Sequence, residues 1–71
     1  MSQLSYEPEH LRNLASALRS EADLIKRHNH VLQRLEADTG VFFPVEKSTN
    51  TSRVENLNEA ADLLEALAVK K

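Results

Sequence analysis

The side chains able to do chemistry in this chain are three histidines, eleven carboxylates and six serines, and there is no cysteine. His28 and His30 fall in the run Arg27-His28-Asn29-His30, residue types that can hold a metal and activate water. The run lies inside a stretch of helical periodicity, where residues one and two apart point in different directions. The two imidazoles therefore diverge. A zinc-binding helix of the His-Glu-x-x-His kind places its histidines four apart, and no two histidines of this chain stand three or four apart. The serines offer no better prospect for nucleophilic catalysis, because Gly40 is the only glycine and no glycine-rich elbow or phosphate loop can form around one residue. A chain of 71 residues also has little mass with which to enclose a pocket of the usual few hundred Å3. The expectation is a protein with no catalytic residue, no metal, no cofactor and no small-molecule substrate.

What remains is a question of surfaces. At this length a single core leaves only about 3–5 kcal/mol of net stability. Without cysteine neither a disulfide nor a thiolate-bound metal can supplement it, which leaves oligomerisation or docking on another protein. No apolar run approaches the roughly 20 residues needed to cross a bilayer, and Met1-Ser2-Gln3 has no signal-peptide character. The expectation is a cytoplasmic protein with no membrane partner, in which the sequon Asn50-Thr51-Ser52 is a chance match. A net charge of −2 and a pI near 5.9 argue against nucleic-acid binding through overall charge. The composition, 41% hydrophobic with one glycine and two prolines, favours helix over disorder.

The pattern predicts one all-α domain over 1–71: a long helix at about 8–38, a loop at 39–52 and a shorter helix at about 53–69. Ser5 and Glu7 are cap candidates before Pro8, and Gly40 suits the left-handed residue that ends a helix. Ser52-Arg53-Val54-Glu55 fits a capping box for the second helix, and Lys70-Lys71 suits its negative end. Steps of four and three select Leu11, Ala15, Leu18, Ala22, Ile25, Asn29 and Leu32 on the first helix, and Leu57, Ala61, Leu64 and Ala68 on the second. Large aliphatics alternating with small residues at this spacing form the seam of a helical hairpin.

One seam does not exhaust the first helix. Leu14, Ala17, Leu24, Val31 and Leu35 widen its apolar arc to about 200° at 100° per residue. A shorter helix cannot cover so broad an arc, so two hairpins are expected to pair as a dimeric four-helix bundle. Glu21 and His28 lie near the middle of the arc. In an antiparallel dimer with its two-fold axis near Leu24 and Ile25, Glu21 of one chain would face His28 of the other; the alternative is that both reach solvent at a helix edge.

The charges are also segregated. Arg12, Arg19 and Lys26 recur every seven residues, with Arg27 and Arg34 beside them, whereas Glu55, Glu59, Asp62 and Glu65 mark the second helix. Such flanks set helix orientation within a bundle, or else the basic one serves as a phosphate-binding surface. Val41-Phe42-Phe43-Pro44-Val45 is either a lid on the bundle's end or an exposed docking strand. The functional expectation is a non-enzymatic helical interaction module, a regulator, adaptor or assembly factor, acting as a homodimer. Phe42, Phe43, Leu24 and Val31 would make its contacts with another protein. The alternative is a nucleic-acid-binding regulator using Arg12, Arg19, Lys26, Arg27 and Arg34.

Overall fold

The computed structural model describes residues 7–70, the side chain of Lys70 excepted; the cap candidate Ser5 and the terminal Lys71 lie outside the described residues. Helix α1 spans Pro8–Thr39 and helix α2 spans Pro44–Lys70, and the two pack along their length as a hairpin with extents of 54 × 19 × 17 Å. The hairpin expected from the sequence is thus observed.

Helix α1 starts where its residues dictate. Glu7 is the extended residue before it, and its carbonyl accepts the Leu11 N–H at 3.0 Å, but its side chain makes no capping bond. Pro8 lacks an N–H, a group that would have no helical partner in the first turn. At the other end Gly40 adopts the left-handed conformation (φ 75°), and its N–H reaches the Glu36 carbonyl at 2.9 Å. The Thr39 hydroxyl donates to the Leu35 carbonyl (2.7 Å) and accepts from the Val41 N–H (3.2 Å).

Helix α2 begins at Pro44, not near Arg53, which corrects the expected loop over 39–52. The polar run Glu46 to Thr51 is helical because Pro44 supplies a favourable first position, Glu46 an acidic first turn, and α1 supplies partners for the polar side chains turned toward it. Ser52 is consequently inside the helix and caps nothing. Phe43 takes over as the boundary residue, its carbonyl accepting the Lys47 N–H at 3.0 Å. The segment 41–45 is neither a strand nor a closed lid. Phe43 alone turns inward, whereas Val41, Phe42 and Val45 are 56%, 72% and 72% exposed.

Buried and half-buried residues trace two unbroken seams of four-three steps. On α1 the seam runs from Leu11 through the seven expected positions to Glu36; on α2 it runs from Phe43 through Lys47, Asn50, Val54, Leu57, Ala61 and Leu64 to Ala68. The bond between Asn50 and Asn29 fixes the register. Counting outward along both seams sets Leu18 level with Ala61, Ala22 with Leu57, Ala15 with Leu64 and Leu11 with Ala68. In these four layers a large side chain meets a small one, so the axes come close and the alanines are nearly sealed (0–4% exposed). Among the described residues no large side chain is fully enclosed, which is the geometric limit of a core made from two helices.

Candidate interaction surface

The closed end of the hairpin carries its best-organised polar chemistry. Glu36, only 9% exposed, sits at a seam position and uses both carboxylate oxygens. Oε1 accepts from Lys47 Nζ at 2.6 Å, and Oε2 accepts the Phe43 backbone N–H at 2.8 Å. The second bond is the one a capping-box glutamate within α2 would make, delivered here from the opposite helix. The Lys47 ammonium, followed by the Phe43 N–H, holds the Glu36 carboxyl below its usual range against the opposing effect of burial.

Two turns along, Asn29 and Asn50 form a polar layer. Asn50 Nδ2 donates to Asn29 Oδ1 (2.9 Å), while Asn29 Nδ2 donates to the Lys47 carbonyl (3.2 Å) and to Thr51 Oγ1 (3.4 Å). The Thr51 hydroxyl itself donates to the Lys47 carbonyl at 3.0 Å. Asn50 of the sequon is thereby committed to the inside of the hairpin. Sequence reading found Asn29 on the seam but missed Glu36, Lys47 and Asn50. The signal was present, since the same steps continue from Leu32 to Glu36 and backward from Leu57 through Val54 to Asn50 and Lys47.

Of the basic flank, Arg19 is drawn into the hairpin. Its Nη2 bridges Asp62 Oδ1 (2.6 Å) and Glu65 Oε1 (2.7 Å), and the two acids raise its already high pKa, Glu65 contributing most. This pairing ties the basic side of α1 to the acidic side of α2, the orienting role expected of oppositely charged flanks. Arg12, Lys26, Arg27 and Arg34 are exposed on the outer surface. His28 and His30 are exposed on diverging sides of α1, and Glu7 and His10 stand three apart at its start. Among the described residues no three potential metal ligands converge.

The remaining feature is apolar. Leu14, Leu24, Val31 and Leu35 of α1 are 38–56% exposed, and Leu63 and Leu67 of α2 are 63% and 49% exposed. These belong to one broad side of the molecule. Arg19 and Glu65 mark the opposite edge of the two-helix layer, whereas Glu21 of α1 and Arg53 and Asn56 of α2 border a shared open groove of about 300 Å3 floored by Ile25 and Leu57. Stepping along each helix from that groove by threes and fours leads to Leu14, Leu24 and Leu35 on α1 and to Leu63 and Leu67 on α2. Of the residues expected to meet a partner, Leu24, Val31 and Phe42 are exposed, and Phe43 is turned half inward at the seam's end. Glu21 and His28 both reach the surface of the single hairpin and do not pair within it.

No helix among the described residues is long and apolar enough to cross a membrane. Comparisons with protein-family models, curated proteins and solved structures found no match to the chain.

Proposed function

We propose that this chain is a small, non-enzymatic helical interaction module that acts as a homodimer, as a regulator, adaptor or assembly factor. The observation that carries the reading is the second apolar strip. The hairpin seam accounts for the inward residues of both helices, yet Leu24, Val31, Leu63 and Leu67 stay about half exposed or more on one side. Exposed large apolar side chains gathered on one side of a folded protein, rather than scattered singly, point to an interaction site. Self-association is the economical occupant for a hairpin whose core encloses no large side chain among the described residues. Phe42 at the tip is the first candidate for contact with a different protein, with Phe43 beside it serving mainly to close the seam.

The nucleic-acid reading is weakened by Arg19, whose charge is already countered by two carboxylates of α2. The test of the proposal is solution mass by light scattering across a dilution series, with helicity followed in parallel. The expected result is a helical species of twice 8.0 kDa that dissociates only on dilution. A fully helical monomer at all concentrations would sink the homodimer.

A further inference from the structure

The exposed face has a pattern of its own, and the pattern is self-complementary. Along α1 it reads Leu14, Ala17, Glu21, Leu24, His28, Val31, Leu35, which is symmetric to within one residue about a point beside Leu24. Turning a second α1 end for end about that point sets Leu14 against Leu35, Leu24 against Leu24, and the acid Glu21 against the base His28, twice over. The same rotation acts on α2. Given the seam register, it brings Val45 of one copy to within one residue of Leu63 of the other, so an exposed apolar group of the loop end meets one of the open end.

Stacking α1 on the α2 of a second copy is the competing arrangement, with both loops at the same end. It would press Leu24 and Val31 onto the polar middle of α2, where Thr49, Ser52 and Asn56 share the face. The end-for-end arrangement instead puts apolar on apolar and polar on polar. The available area is adequate: a broad side of 54 by about 17 Å projects to roughly 900 Å2, against about 800 Å2 per partner in a standard stable interface.

We infer that the occupant of this face is a second copy of the chain, packed α1 on α1 and α2 on α2 in opposite directions, with reciprocal Glu21–His28 contacts fixing the register. This inference rests on the homodimer reading and adds its geometry. Buried or half-buried polar pairs at an interface select register and orientation more than they add affinity.

Charge exchange tests it. Glu21→Lys replaces the acid facing each imidazole with a cation, and His28→Glu sets two anions against each other; each single variant is expected to weaken the dimer about tenfold or more in Kd at low salt. The double variant restores the pairs and is expected to recover most of the loss. Both positions are exposed in the single hairpin, so unchanged helicity separates assembly from folding. Because the chain has no cysteine, oxidative cross-linking gives a second readout. Leu24→Cys alone should form a covalent dimer, and an equimolar mixture of Leu14→Cys and Leu35→Cys should link to each other, with Leu14→Cys alone staying uncoupled. A stable wild-type dimer with no rescue and no Leu14–Leu35 linkage overturns this geometry while leaving the homodimer standing; a wild-type monomer overturns both.

Discussion

Glu36 shows how much one side chain can decide in a molecule this small. It lies at a seam position where an aliphatic residue would be usual, and it is tolerated because a lysine and a backbone N–H satisfy both of its oxygens. Its pKa is lowered in the fold by the Lys47 ammonium first and the Phe43 N–H second. A carboxylate depressed in this way adds stability that is complete above its unfolded pKa and drains away as pH falls through the folded one. Thermal melts of the wild type should therefore begin to lose stability as pH falls through the ordinary glutamate range, about pH 4 to 5. Glu36→Gln should melt lower than the wild type at pH 7, and the gap should narrow as the medium becomes acid. Parallel melting curves with a constant gap from pH 7 to 3 would show that the carboxylate's charge has no part in holding the closed end.

At the scale of elements, the two helices differ in how openly the sequence announces them. Helix α1 was legible from its period, from Pro8 and from Gly40, because all three act locally. The beginning of α2 was not. Lys47 and Asn50 read as loop residues, and Ser52-Arg53-Val54-Glu55 as a helix start, since polar groups at seam positions make sense only once Glu36 and Asn29 are known to stand opposite. The same limit applies to the candidate surface: Leu24 and Val31 were visible as surplus apolar residues, whereas the groove between Glu21 and Arg53 depends on the register. The connection is short, and Gly40 is its one position in the left-handed region. A Cβ there would touch nothing within 4 Å, so the cost of Gly40→Ala is conformational alone, about 1–2 kcal/mol. Urea denaturation should show a lower midpoint with an unchanged slope, and Gly40→Asn should recover part of the loss. An alanine variant as stable as the wild type would mean that the loop can close by another path.

Across the whole molecule the seam is not uniform from one end to the other. Its polar members, Asn29, Glu36, Lys47 and Asn50, all lie in the half nearest the loop, and the half from Ile25 and Val54 to Leu11 and Ala68 is apolar. Large aliphatics facing alanines would pack nearly as well after a slip of one heptad, so this apolar half specifies its alignment poorly. The polar half specifies it well, because any slip strands a carboxylate or an amide without its partner. In kinetic terms, the informative contacts are also the ones that close the smallest loops and cost least in chain entropy. The hairpin is thus arranged to choose its alignment early and to zip afterwards toward the open end. Asn50→Ala is expected chiefly to slow folding, and Leu11→Ala chiefly to speed unfolding, in stopped-flow measurements. The reverse assignment would mean that closure starts at the termini, and that misaligned hairpins must be unmade before the native one can form.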